Sequence, residues 1–220
     1  MTNEEILSHI DHTLLKAAAA WPEIEKLCEE ALAYKTASVC IPPCYVERAY
    51  RRFGGASGGL NIGTVIGFPL GYNSPAVKIR EAEEVLARGA GEIDMVINLG
   101  DVKNGSFEKV EEEIRTLKKA AGARILKVIV ETCYLTEEEK IRLCGITGSA
   151  GADYIKTSTG FGAAGAAAAD IELFRKHIPS GLKIKAAGGI KTREAMEAFL
   201  ALGCDRIGAS SAVALLAGTS

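Results

Sequence analysis

Apolar positions along this chain follow two spacings in turn. Short runs rich in Val, Ile and Thr read as strands. Each gives way to a longer stretch whose apolar residues recur three or four positions apart, as on one face of a helix. HIDHT (9–13) predicts a first strand, preceded by a small helix over 3–8. A helix over 22–34 follows, with Pro22 in its first turn and Ile24, Leu27, Cys28, Ala31 and Leu32 along one face. ASVCI (37–41) predicts the second strand and 45–53 its helix, then NIGTVIGF (61–68) the third strand and 74–88 its helix. EIDMVIN (92–98) leads to a helix over 106–120. ILKVIVE (125–131) leads to one over 136–150, where Thr136 and Glu139 have capping-box spacing. DYIKTS (153–158) precedes a helix over 170–177, LKIKAA (182–187) one over 192–202, and DRIGAS (205–210) a last one from Ser211.

Strands that alternate strictly with helices are parallel and joined by right-handed crossovers. A closed barrel and an open doubly wound sheet both fit that order. Eight strands in 220 residues favour the barrel. No Gly-x-Gly-x-x-Gly stands between a strand and a helix, which weakens the dinucleotide-binding alternative. No Ser/Pro/Gly linker divides the chain, and the Ala-rich GAAGAAAAD (162–170) fits a loop running into a helix. The expected fold is therefore α/β, a TIM-type (β/α)8 barrel with a short extra N-terminal helix, forming one domain over 1–220.

Composition changes this picture little. At 48% hydrophobic and 25% charged residues the chain is ordinary globular material. Its net charge of −2, with Lys and Arg interleaved among Asp and Glu, offers no basic stripe for nucleic acid and no cationic membrane face. No apolar stretch approaches the roughly 20 residues of a membrane span, and MTNEEILSHIDHTLL opens acidic, unlike a secretory leader. These features predict a soluble, cytoplasmic protein. The six cysteines contain no CxxC, and His9, His12 and His177 lack ligand spacing. Reduced core thiols are expected, with no metal and no other cofactor.

Charge inside the strands does change the picture. In such a barrel the catalytic residues come from the carboxyl ends of several strands. Period-2 alternation sorts what shares a face: Tyr154, Lys156 and Ser158; Lys183, Lys185 and Ala187; Asp94, Val96 and Asn98; Lys127, Ile129 and Glu131; Ser38 and Cys40. Both faces of a barrel strand are buried, so a charge in mid-strand needs a partner whichever way it points. Two readings fit Lys156, Lys185, Lys127 and Asp94: an ion-pair network that merely satisfies itself, or a reactive cluster. Three lysines against one aspartate leave excess positive charge, and crowded cations depress one another's pKa. At an ordinary pKa of about 10.4, roughly one lysine in 2,500 is neutral at pH 7. Lowering that pKa by about 3 units makes a substantial fraction nucleophilic, ready to form a Schiff base with a carbonyl.

Two stretches bear on the substrate. KAAGGIKT (185–192) puts Gly188 and Gly189 just after the seventh strand, and RIGASSAV (206–213) puts Gly208, Ser210 and Ser211 at the end of the eighth. Loops after strands seven and eight are a common phosphate site in these barrels. Gly160, closing the Thr-Ser-Thr-Gly that follows Lys156, joins the candidate phosphate set. Gly-Gly also makes ordinary turns, and that reading stays open.

DHTLLK, ASVCIPP, TVIGFPLG, EIDMVINLG, LKVIVETCYL, GADYIKTSTGF, KAAGGIKT and RIGASS stand here in the order and spacing of the deoxyribose-phosphate aldolases. Over residues 11–211 the chain resembles that family. The resemblance implies a class I, metal-independent aldolase that reversibly cleaves 2-deoxy-D-ribose 5-phosphate into D-glyceraldehyde 3-phosphate and acetaldehyde. It implies Lys156 as the Schiff-base lysine. Lys185 would be the neighbouring cation that lowers its pKa and exchanges protons, and Asp94 the proton-transfer carboxylate. Lys127 and Asp11 would be supporting groups. Cys40 would lie near the aldehyde pocket, or be simply a small buried hydrophobe. Thr157 and Thr159 would orient the lysine or the substrate, or only bond at the strand end. The partners implied are the sugar phosphate and aldehyde substrates and other copies of the chain, as a homodimer or homotetramer. Many members continue into a flexible tail ending in an aromatic residue that assists proton transfer. This sequence stops at LLAGTS with no tyrosine after Tyr154, so either it does without that help or it is truncated.

Two other functions remain to be weighed. A transaldolase-like Schiff-base barrel would keep Lys156 and the phosphate loops but need a different aldehyde pocket. A sugar-phosphate binding protein would keep the fold without catalysis, and would need none of the buried Lys156, Lys185 and Asp94.

Overall fold

The computed structural model describes residues 1–54 and 59–217. Helix α1 (Asn3–Leu7) starts at Thr2, whose hydroxyl accepts from the Glu5 N–H while the Glu5 carboxylate accepts from the Thr2 N–H. There follow β1 (Ile10–Thr13), α2 (Trp21–Ala33), β2 (Ser38–Ile41), α3 (Val46–Phe53), β3 (Ile62–Ile66) and α4 (Pro75–Ala87). Next come β4 (Glu92–Val96), α5 (Leu99–Lys103), α6 (Phe107–Ala121), β5 (Ile125–Ile129), α7 (Glu137–Ser149) and β6 (Tyr154–Lys156). The chain closes with α8 (Ala168–His177), β7 (Lys183–Ala187), α9 (Arg193–Ala201), β8 (Arg206–Ala209) and α10 (Ala212–Leu216).

Each strand pairs in parallel with the next, and β1 closes on β8, with Asp11 opposite Ser38 on one side and Gly208 on the other. This is the expected (β/α)8 barrel with its extra N-terminal helix. That helix is tied to the far end of the chain, since the Asn3 side chain donates to the Leu216 carbonyl at 2.8 Å.

The strands are two-sided. Ile93, Met95, Leu126, Val128, Ile155, Ile184 and Ile207 are buried against the apolar stripes of the helices, among them Leu27, Ile114, Leu143, Phe174 and Met196. The alternate residues face the barrel axis, and many of those are charged. The axial layer of a barrel is ordinarily filled with branched apolar side chains. Here most of the apolar core is the cylinder between sheet and helices, and the axis holds charged groups beside Val96, Ile129 and Tyr154.

β1, β2 and β7 end where the pattern predicts, whereas β3, β4, β5, β6 and β8 end earlier. β3 stops at Ile66, two residues short, because Gly67 turns the chain at φ +58° and gives its N–H to Glu81 at 2.7 Å. β6 stops at Lys156, so Ser158 lies beyond the strand and its expected face does not apply. The short α5 is not foreseen by the pattern; the Asn98 side chain starts it by accepting from the Gly100 N–H at 3.0 Å. α7 has its expected capping box between Thr136 and Glu139. The sequence beyond Ala217, where the aromatic tail is at issue, lies outside the described residues.

Candidate active site

Ion pairs between non-neighbouring strands run through the barrel interior. Lys156 on β6 reaches Asp94 on β4, Lys185 on β7 reaches both Asp94 and Asp11 on β1, and Lys127 on β5 reaches Asp11. The four expected groups therefore do meet, together with Asp11, in one buried cluster.

Asp94 is its hub. Its Oδ2 accepts from Lys156 Nζ at 2.7 Å and from Lys185 Nζ at 2.6 Å, and its Oδ1 from Lys127 Nζ at 3.2 Å. Lys185 has a second carboxylate, Asp11 Oδ2 at 2.5 Å. Lys127 has two more, Asp11 Oδ2 at 3.3 Å and Glu92. At the start of β8, Arg206 binds Asp11 and Glu92, the latter from Nη2 to Oε1 at 3.1 Å. Ser38 donates to Asp11 at 2.8 Å and Asn61 to Glu92 at 2.6 Å.

Among the described residues, the barrel interior thus holds four cations, Lys127, Lys156, Lys185 and Arg206, against three carboxylates, Asp11, Glu92 and Asp94. The sequence expectation of three lysines against one aspartate needs that correction. The excess is one positive charge, which one neutral amine removes.

Lys156 is the amine least held in its charged form. It is only 3% exposed and has one carboxylate, shared with two other lysines. Burial first, then the Lys185 charge, push its pKa down, against the opposing pull of Asp94. Lys185 is equally buried, yet Asp11 and Asp94 outweigh burial and hold its pKa above the ordinary lysine value. Asp11, Asp94 and Glu92 do the same for Lys127. The Asp94 carboxyl sits far below the usual range, because the three lysines overcome its desolvation.

A cavity of about 260 Å³ opens over Lys156 at the carboxyl ends of the strands. Of the candidate phosphate residues, Gly160, Gly188, Gly189, Gly208 and Ser210 line it. Ser211 does not; its Oγ is buried without a hydrogen-bond partner. The Ala166 N–H donates to the carbonyls of Ala187 at 3.0 Å and Gly188 at 3.2 Å, locking the loop after β6 against the end of β7. Gly188 makes that approach possible: it adopts φ +85°, and a Cβ there would stand 3.0 Å from Gly165 Cα.

Thr157 points its hydroxyl at the backbone of β7, accepting from the Ala187 N–H at 3.2 Å and donating to its carbonyl at 3.3 Å. Cys40 is buried, and burial together with the Asp94 charge pushes its thiol up to about 11. Among the described residues, no group of three or more His, Cys, Asp or Glu is arranged to hold a metal ion.

Sequence reasoning missed several of these residues. Glu92 and Arg206 carried a usable signal, being two positions before Asp94 and Gly208 on the same faces. Lys16 and Lys191 line the cavity from within the DHTLLK and KAAGGIKT stretches. Glu131, with φ +55° and 3% exposure, accepts from the Thr159 hydroxyl and from its N–H at 3.1 Å, shaping the loop beyond Lys156. Nothing local announced that role.

Comparison with known proteins converges on the same chemistry. A deoxyribose-phosphate aldolase of Clostridium botulinum (strain Alaska E43 / Type E3) is 58% identical over 218 residues, covering 99% of this chain and 97% of that protein. One from Streptococcus pyogenes serotype M4 is 54% identical over 216 residues, covering 98% and 96%. The tetrameric deoxyribose phosphate aldolase structure from Aeropyrum pernix superposes with a TM-score of 0.89 at 32% identity, covering 98% of this chain and 91% of that one. The profile of the DeoC/LacD family aldolases matches residues 6–218, nearly the whole chain, and the chain belongs to that family.

Proposed function

We propose that this chain is a class I aldolase that reversibly cleaves 2-deoxy-D-ribose 5-phosphate to D-glyceraldehyde 3-phosphate and acetaldehyde. The substrate comes from relatives bearing that activity's name at 58% and 54% identity. The mechanism rests on a single observation: Lys156 is the one interior lysine with no carboxylate beyond the shared Asp94.

In the synthetic direction the neutral Lys156 amine attacks the acetaldehyde carbonyl. A water leaves and an iminium forms. A proton then departs from the adjacent methyl carbon, and the iminium nitrogen takes up the electron pair as an enamine. That enamine carbon attacks the aldehyde of glyceraldehyde 3-phosphate, whose oxygen takes a proton. Hydrolysis releases the sugar phosphate and restores the amine. Asp94 Oδ2 accepts from both Lys156 and the charged Lys185, so Asp94 and Lys185 are the groups in reach to carry these protons, working as a coupled set. Lys127 and Asp11 hold Asp94 and Lys185 in charge and place.

Gly160, Gly188, Gly189, Gly208 and Ser210 would cradle the phosphate with backbone N–H groups and a hydroxyl, and Lys16 and Lys191 would supply charge at the rim. Ser211 and Thr157 would act from behind the cavity wall, and Cys40 as a packing thiol beside the aldehyde. We take 1–220 as one catalytic unit. A homodimer or homotetramer is supported by the tetrameric Aeropyrum pernix relative. A cytoplasmic setting agrees with the finding that no helix among the described residues is long and apolar enough to cross a membrane.

The test is reduction with sodium borohydride in the presence of acetaldehyde, followed by peptide mass spectrometry. A two-carbon adduct on Lys156 is expected. Adducts scattered over surface lysines, or none, would refute the mechanism. Dihydroxyacetone in place of acetaldehyde separates the transaldolase-like reading.

A further inference from the structure

Arg206 lies at the amino-terminal end of β8, outside the residues that line the cavity over Lys156, and its side chain is only 14% exposed. It occupies two of the three interior carboxylates, Asp11 and Glu92. Those same two carboxylates are what Lys185 and Lys127 would otherwise have to themselves. With Asp11 and Glu92 divided in this way, both lysines lean on Asp94 as well, one on each oxygen. Lys156 is left with a share of a single oxygen.

We infer that Arg206 is a positioning residue for the proposed reaction: by engaging Asp11 and Glu92 it draws Lys185 and Lys127 onto Asp94 and leaves Lys156 without a carboxylate of its own. This rests on the Schiff-base reading above and deepens it. The fourth cation, off the cavity lining, completes the excess of one positive charge.

Charged and titratable groups reach Lys156 from most strands, and Lys16 and Lys191 line the cavity with it. β2 contributes Cys40, β4 Asp94, β5 Lys127 and β7 Lys185. β1 contributes Asp11 through Lys185, and β8 Arg206 through Asp11. On its own strand Tyr154 stacks its ring 5.9 Å from both Lys127 Nζ and the Arg206 guanidinium. β3 carries no titratable residue. Of these, only Arg206 combines a permanent charge with a place outside the cavity.

The experiment follows the rate of reductive trapping of acetaldehyde on Lys156 against pH, with cyanoborohydride as reductant and mass spectrometry to locate the adduct. Arg206→Gln frees Asp11 and Glu92 for Lys185 and Lys127, and returns Asp94 to Lys156. Its midpoint should rise by about one pH unit, lowering the trapping rate about tenfold at pH values below both midpoints. Arg206→Lys keeps the charge and should stay within a few tenths of a unit of the wild-type midpoint. The Glu92→Gln/Arg206→Gln pair removes one charge of each sign, restores the excess of one, and should return towards the wild-type midpoint.

An Arg206→Gln protein still labelled at Lys156 with an unmoved midpoint would overturn the inference while leaving the Schiff-base reading intact. So would an Arg206→Lys protein shifted as far as the Gln variant. If Arg206→Gln does not fold, Glu92→Gln carries the test alone. It must lower the midpoint, and an unchanged one overturns the inference. A wild-type protein unlabelled at Lys156 brings down both readings together.

Discussion

Lys185→Met is the substitution that most directly tests the proposed reactivity of Lys156. Both amines donate to Asp94 Oδ2, at 2.6 and 2.7 Å, with Lys185 kept charged by its second partner Asp11. Two nitrogens at these distances from one oxygen lie at most about 5 Å apart, and at an effective dielectric of about 20 their repulsion as ammonium ions is at least roughly 3 kcal/mol. That is about two pH units on the Lys156 titration. The sign follows from what is removed. Losing the Lys185 charge and handing Asp94 to Lys156 both favour the ammonium form, so the Lys156 pKa rises and the neutral amine appears only at higher pH. Trapping of acetaldehyde on Lys156 should fall about a hundredfold at pH 7 and recover as pH is raised by about two units. The rate of adduct formation across pH 6 to 11 is the assay, with methionine chosen to keep the volume. A midpoint equal to the wild type's would refute the electrostatic account. Loss of the adduct at every pH in a folded variant would refute it as well, by making Lys185 essential to imine formation itself.

Further outcomes follow from other parts of the molecule. Lys78 is fully buried on α4, donating to Glu113 at 2.8 Å and to the Val96 carbonyl at 2.8 Å. Lys78→Met leaves Glu113 buried and unpaired, and should cost about 3–5 kcal/mol in urea unfolding, part of which Lys78→Met/Glu113→Leu recovers. Gly188→Ala puts a Cβ 3.0 Å from Gly165 Cα at φ +85°. The strain of about 1–3 kcal/mol should spread the two loops and raise KM for glyceraldehyde 3-phosphate, with acetaldehyde trapping on Lys156 unchanged. With its thiol pushed up to about 11, Cys40 should resist iodoacetamide at pH 8 in the folded protein, while the exposed Cys44 is alkylated first, as peptide mapping will show.

The barrel was legible because its signal is repeated. Each of eight β-rich runs is followed by a helix, and an error at one end of one element leaves the order intact. Strand ends were less legible, since they depend on neighbours. β6 ends at Lys156, and just past it Thr157 takes its hydroxyl to Ala187 on the next strand, a contact 30 residues away that no local pattern shows. α5 is too short to show a helical period and is set by one Asn98 cap. Within the site, Asp94, Lys127, Lys156 and Lys185 stood out as charges in mid-strand. Glu92 and Arg206 begin their strands, where a charge looks like one still in water, and only closure of the barrel shows them to be interior. Lys78 and Glu113 lie on two different helices, and nothing in either helix forecasts their pairing.

The cost of this interior is itself an argument about what it is for. Seven charged groups on the barrel axis have been taken out of water, and mutual attraction in a low-dielectric interior seldom repays that loss in full. A layer of Val, Ile and Leu would fill the same space with no desolvation to offset. The network is therefore not the stable solution for this barrel, and its composition is specific in a way stability does not require. A self-satisfying set would have equal numbers of each sign, whereas this one has a cation too many and concentrates three amines on Asp94. The surplus falls on Lys156, at the floor of the cavity. A buried network that leaves one amine short of a counter-charge, beside a cavity of about 260 Å³, makes sense as a device for keeping that amine nucleophilic.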